Sequence, residues 1–266
     1  MNVFLRELRA YRRSTITWAV ALSGILMLFM ALYPTFTTDV AVTRRLLEQF
    51  PEVVRNALDI SLSTFFSVNG FFGYLLNFAI LAGAIQAMNL GTGIIAKETT
   101  GRTADFLLSK PITRSTVVTA KLAAAVVLLV VTNVVFAAGA VLLATLLSEE
   151  ESSAGTLLLM ASTLLLVQLF FLALGALVAV IVPRIKSVVA VTLPTVFAFY
   201  IVGMVGDVVA NEDVRFLTPF KFFEPERIIT DGRLDGATLA IDAAFVALAV
   251  GLSYLMYVRE DVRAST

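Results

Sequence analysis

The chain contains no cysteine and no histidine. Without cysteine there is no disulfide and no thiolate nucleophile. Without histidine there is no axial haem imidazole and no imidazole metal ligand. Ser-His-Asp and Cys-His catalysis cannot be assembled from these residues either. Charge is also scarce: 15% of residues are Asp, Glu, Lys or Arg, against about 25% in an average soluble domain. A Gly-x-x-x-x-Gly-Lys-[Ser/Thr] phosphate loop is missing, and Gly91-Thr92-Gly93 stands at a helix end rather than after a strand. If ATP is used, another chain hydrolyses it.

What remains is apolar. Hydrophobic residues make up 59% of the 266, the mean hydropathy is +0.90, and the charges cluster between apolar runs. This composition describes an integral membrane protein. With no polar segment the size of a soluble domain, residues 1–266 are expected to form a single transmembrane domain with no appended catalytic domain. The apolar runs predict six transmembrane helices, at about 15–33, 70–96, 115–147, 154–182, 187–209 and 237–258. Nothing alternates as a barrel strand would, so the expected fold is an all-α membrane protein. Trp18 and Tyr33 stand near opposite ends of the first run as interface anchors.

Polar intervals carry their own patterns. In MNVFLRELRAYRR, Phe4, Leu8 and Tyr11 share one helical face and Arg6, Arg9 and Arg13 another. That suits an interfacial helix preceding the first span, or a flexible basic leader. A cleaved signal peptide is not expected, because no small-residue cleavage motif follows the apolar run. Residues 44–55 have helical periodicity and predict one or two amphipathic helices resting on the membrane. The second long polar interval is 210–236.

Between spans two and three lies KETTGRTADFLLSKPITRSTVVTAK, from Lys97 to Lys121, with turn signals at Gly101 and Pro111. Thr103 can cap a short helix and place Asp105 at its positive end; Thr113 or Ser115 can cap the next helix. On pattern alone the stretch is equally a plain charged loop.

The positive-inside rule orients the chain. With the N-terminus inside, the inner segments hold thirteen of the twenty bases but five of the twenty acids, giving +8 inside and −8 outside. Both termini and the 97–121 stretch are then cytoplasmic, and both long polar intervals are exterior. Polar side chains within the spans are few: Asn77, Gln86, Asn89, Asn133 and Gln168. No ionisable group sits near a span centre, which argues against an ion-coupled carrier. Asp207 and Asp242 fall near outer span ends, where water is expected to reach them. For each amide, contact between helices is a more natural role than contact with substrate.

The stretch Lys97-Glu98-Thr99-Thr100-Gly101-Arg102-Thr103-Ala104-Asp105-Phe106-Leu107-Leu108-Ser109-Lys110-Pro111-Ile112-Thr113-Arg114, followed by Lys121, resembles the cytoplasmic segment of permease subunits of type-2 ABC exporters. Phe50-Pro51-Glu52, Asn69-Gly70-Phe71-Phe72 and Leu217-Thr218-Pro219-Phe220-Lys221-Phe222-Phe223 are similar to further parts of that family. Arg102-Thr103 departs from it, since many members carry threonine followed by glutamate or leucine. The resemblance implies a plasma-membrane permease with an N-terminal elbow helix and amphipathic helices in the exterior loops. Two permeases, identical or paralogous, would surround a pathway above two ATPase subunits that bind ATP and magnesium. This chain would carry no cofactor or metal of its own and no enzymatic activity, and no nucleic-acid partner is implied. Residues 103–108 would form the coupling helix, with Glu98, Gly101, Arg102, Thr103, Asp105, Phe106, Leu107, Leu108, Pro111 and Arg114 meeting the ATPase. Spans two and five would line the pathway, making Asn77, Gln86, Asn89, Pro194, Gly203 and Gly206 its candidate residues.

Two other classes stay open on sequence. An intramembrane lipid-modifying enzyme would need clustered carboxylates, for which Asp231, Asp235 and Asp242 are the nearest candidates. A structural subunit of a membrane complex would need none.

Overall fold

The computed structural model describes residues 3–100, 113–147, 154–182, 185–209 and 212–259. Its long helices are α1 (Val3–Met30), α5 (Val68–Thr100), α6 (Arg114–Leu147), α7 (Ala154–Ile181), α8 (Val188–Val209) and α10 (Gly236–Arg259). All six are long and apolar enough to cross a membrane, so this is a multi-pass membrane protein. Short helices α2 (Tyr33–Thr37), α3 (Val40–Glu48) and α4 (Glu52–Ala57) fill the first polar interval. Two 3-10 turns (Glu212–Phe216 and Pro219–Lys221) and α9 (Pro225–Asp231) fill the last. Six consecutive crossings put both intervals at one end of the bundle, here the loop face. The ends of α5 and α8's start lie at the other, the termini face.

Five of the six spans fall within about two residues of their sequence-based limits. The first does not. α1 runs unbroken from Val3, so the basic leader is not a separate elbow helix. Its buried positions, Val3, Glu7, Thr15, Ala19, Leu22, Leu26 and Met30, form one stripe along the whole helix, and Leu8 and Tyr11 pack against the core beside it. The leader's amphipathic pattern therefore reflects packing on the bundle, with Arg9, Arg12 and Arg13 left exposed.

α5 and α7 form the centre and make the most extensive helix contact. Lipid supplies no hydrophobic drive between spans, so close backbone approach and interhelical hydrogen bonds do the joining. A Cβ on Gly91 would lie 2.3 Å from the Leu172 carbonyl oxygen, and one on Gly175 would lie 2.7 Å from that of Met88. Between them the Thr92 hydroxyl donates to the Gly175 carbonyl at 3.2 Å. The Gly91-Thr92-Gly93 run is thus a helix-packing surface. One layer deeper, Gln86 Nε2 donates to Thr132 Oγ1 at 3.0 Å and Gln168 Nε2 to Gln86 Oε1 at 3.1 Å. Asn133 Nδ2 donates to Gln168 Oε1. Three amides and a hydroxyl so tie α5, α6 and α7 together, as expected of amides inside a membrane.

Aromatic clusters seat both loop-face intervals. Phe36, Phe65, Phe71 and Tyr74 interlock with ring centroids 5.3–6.4 Å apart. Tyr33 joins them and donates its hydroxyl to the Phe66 carbonyl. In the second interval Phe220 packs on Phe171 and Tyr200, and Phe222 on Phe170, which stacks on Phe245 of α10. Edge-to-face pairs of this kind add about 0.5–1.5 kcal/mol beyond area burial. The phenylalanines in the family-like stretches at 69–72 and 217–223 therefore anchor loops to spans.

Candidate functional site

Below the loop face, a cavity of about 850 Å³ opens between α5 and α8. Gly70, Gly73, Tyr74 and Asn77 form its α5 wall, and Gly203, Gly206 and Asp207 its α8 wall. Side chains from both loop-face intervals complete it, among them Arg55, Asp59, Lys221 and Glu226. Of the candidate pathway residues, Asn77, Gly203 and Gly206 stand on these walls. Gln86 is buried in the amide network. Asn89 is half-buried on α5, and Pro194 lies inside α8 with an exposed side chain.

The glycines on the α8 wall serve close packing. A Cβ on Gly206 would meet Val214 Cγ1 at 2.5 Å, and one on Gly203 would meet the Thr218 and Lys221 side chains at 3.3–3.4 Å. Thr218 Oγ1 donates to the Phe199 carbonyl at 2.9 Å. Segment 212–221 is thereby laid directly along α8.

Lys221 is the electrostatic hub. Its side chain is 10% exposed, and Nζ lies 2.8 and 3.0 Å from the two Asp59 oxygens and 2.7 Å from Asp207 Oδ2. Burial alone would lower the ammonium pKa, but Asp59 and Asp207 outweigh it and hold the group above the ordinary lysine range. Three chain segments meet there: the first loop-face interval, the end of α8 and the second interval. Glu226 adds another tie, accepting from Ser61 Oγ at 2.8 Å and Ser63 Oγ at 2.9 Å. Arg215 pairs with Asp235, whose other oxygen accepts from the Ala237 N–H at 2.9 Å. That N–H first, and the Arg215 charge after it, hold the Asp235 carboxyl below the usual carboxylate range despite a small opposing effect of burial.

Asp242 corrects an expectation. It is 3% exposed, on the buried stripe that α10 presents with Thr238, Ala249 and Ser253, and water does not reach it. Asp207 is half-buried and paired with Lys221. Asp231 is exposed, Asp235 is paired and caps α10, and Asp242 does not line the cavities beside them. The three carboxylates do not converge on a catalytic site. Among the described residues no group of three or more His, Cys, Asp or Glu could hold a metal ion.

At the termini face, Lys121 is fully buried two turns into α6 and its Nζ donates to the Ile94 carbonyl at 2.6 Å. This ties the ends of α5 and α6 on either side of the 101–112 connection. Thr113 caps α6, accepting the Thr116 N–H at 3.4 Å, and Arg114 is that helix's first residue. Gly101, Arg102, Thr103, Asp105, Phe106, Leu107, Leu108 and Pro111 lie outside the described residues, as does the Glu98 side chain.

This architecture is six spans, two seated loop-face intervals and a cavity between spans two and five. The family described as ABC-2 family transporter protein matches residues 1–262. The chain belongs to this family. No curated protein matches it. Membership makes this ABC-2 chain a membrane permease component of an ABC transporter and not itself an enzyme. Sequence reasoning placed three cavity residues but missed Asp59, Ser61 and Glu226. Asp59 and Ser61 are loop residues and Glu226 lies in α9; their partners are about 160 positions away, and no local pattern announces such pairings.

Proposed function

We propose that this chain is the permease subunit of an ABC exporter, acting as a single transmembrane domain over residues 1–266. It pairs with a second copy or a paralogue around a pathway that includes the α5–α8 cavity. Separate ATPase subunits bind ATP and magnesium and dock on the 97–114 stretch. The loop face is exterior and the termini face cytoplasmic, as the charge asymmetry of +8 against −8 favours. The observation that carries this reading is the family match along 1–262, joined to a polar cavity between the two spans implied to line the pathway. No observation favours a lipid-modifying enzyme or a purely structural subunit.

The docking site is the testable part. Phe106 and Leu107 supply its apolar anchor, and Glu98, Arg102, Asp105 and Lys110 its polar rim. Removing a hot-spot anchor costs about 2 kcal/mol or more, and about 1.4 kcal/mol is tenfold in affinity. Phe106→Ala with Leu107→Ala is therefore expected to weaken pull-down of the cognate ATPase at least tenfold at equal membrane expression. The purified chain alone is expected to hydrolyse no ATP above background. Normal ATPase capture by the double variant would remove 103–108 as the coupling element.

A further inference from the structure

We propose that Asp59, Lys221 and Asp207 form an ionic latch that holds the loop-face half of α8 against the first loop-face interval and sets the width of the cavity. The two cavity walls are not equally fixed. α5 is locked at its back to α7 by glycine contacts and to α6 and α7 by the amide network. α8 is far less enclosed by protein: 17% of its span is buried, against 61% for α5. Pro194 interrupts its backbone ladder, the usual place for a helix to bend.

Segment 212–221 travels with α8, because Gly203, Gly206 and Thr218 seat it there. Lys221 belongs to that unit and reaches Asp207 within it. Asp59 stands between α4, which packs against α8, and Phe65, which packs on Phe71 and Tyr74 of α5, so the Lys221–Asp59 pair ties the α8 unit to the stretch leading into α5. Asp59 carries a second sign of purpose. Its φ is 54°, the only positive value at a non-glycine residue among those described. Such backbone strain persists where surroundings enforce it, and it is found at clamps and switches. Here it accompanies a carboxylate that meets Nζ with both oxygens.

That the latch opens during transport rests on the exporter reading; that it holds the wall does not. The test therefore uses neither ATP nor an ATPase. Because the chain has no cysteine, Leu46→Cys on α3, which Arg44 seats over Phe66, and Leu217→Cys on the α8 unit, both exposed, give two spin labels without background. Their distance distribution is measured by pulsed electron spin resonance in lipid nanodiscs. The intact latch is expected to give one narrow distribution. Lys221→Gln and Asp59→Asn should each shift it to longer distances and broaden it, while Lys221→Arg should stay close to the parent. Asp59 is 39% exposed, so its exchange for Asn tests the latch even where Lys221→Gln disturbs folding. An unchanged distribution in monodisperse Asp59→Asn protein overturns the proposal, as does equal broadening in Lys221→Arg.

Discussion

α5 and α8 face the same cavity, yet they relate to the rest of the molecule in opposite ways. α5 carries Asn77, Gln86, Asn89 and a series of glycines, and it is the span most enclosed by protein. α8 has a single amide-free, more uniformly apolar surface and is among the least enclosed. In a bilayer the solvent is itself apolar, so hydrophobicity alone does not decide burial. α7 is the most apolar span and lies in the core beside α5, and what the two share is amides and small residues that meet protein neighbours. The cavity thus has one wall anchored in the core and one held mainly by what lies along it at the loop face.

The largest expected effect comes from loading the anchored wall. At Gly91 any side chain meets the Leu172 carbonyl oxygen at 2.3 Å, and backbone cannot step aside as a side chain can. Overpacking commonly costs about 1–3 kcal/mol, and Gly91→Leu should reach or exceed that range. Gly203→Ala, on the other wall, meets Thr218 and Lys221 side-chain atoms at 3.3–3.4 Å, which need give way by only a few tenths of an ångström, and should cost much less. Thermal unfolding in matched nanodiscs separates them. Equal losses in the two variants would break the distinction between a fixed and a yielding wall.

A smaller effect is expected from the polar ties. Gln86→Leu removes the acceptor of Gln168 Nε2 in a buried site. Loss of a buried partner costs about 1–3 kcal/mol in soluble proteins, but interhelical bonds in membranes average about 0.6 kcal/mol, so about 1 kcal/mol is the expected loss. On α8, Thr195 Oγ1 donates only to the Val191 carbonyl of its own helix, and Thr195→Ala should leave the unfolding temperature unchanged. A larger loss for Thr195→Ala than for Gln86→Leu would show that α8 is the better anchored helix.

Much of this contrast was legible in the sequence, because the same rules generate both. Span limits followed from apolar run lengths, and Gln86, Asn133 and Gln168 stood out as amides needing protein partners. Of the two cap candidates for α6, Thr113 and Ser115, it is Thr113 that accepts the helix N–H. Two things were hidden. The leader's amphipathic face fits an interface or a neighbouring helix equally well, and only the stripe continuing from Val3 to Met30 decides between them. Asp242 looked wet from its position near a span end, since depth along a helix says nothing about which way a residue faces.

The smallest expected effect is an absence of response, and it sharpens the account of the yielding wall. The Lys221 pKa is raised above 10.5 in the folded chain, so its contribution to stability is fully present below 10.5 and declines only as pH rises through the folded value. The Asp235 pKa is lowered below 3.8, so its contribution is present above 3.8 and declines as pH falls through the folded value. With no histidine in the chain, the lysine keeps its proton throughout about pH 6 to 9, the interval in which imidazoles would titrate. The difference in unfolding temperature between the parent and Lys221→Gln should therefore stay nearly constant across that interval and shrink at strongly alkaline pH. Raising the salt concentration at pH 7 should reduce it little, because Lys221 is mostly shielded from solvent and buried pairs are weakly screened. A difference that collapses near neutral pH would mean that another titrating group, not the lysine with its two carboxylates, holds the α8 wall in place.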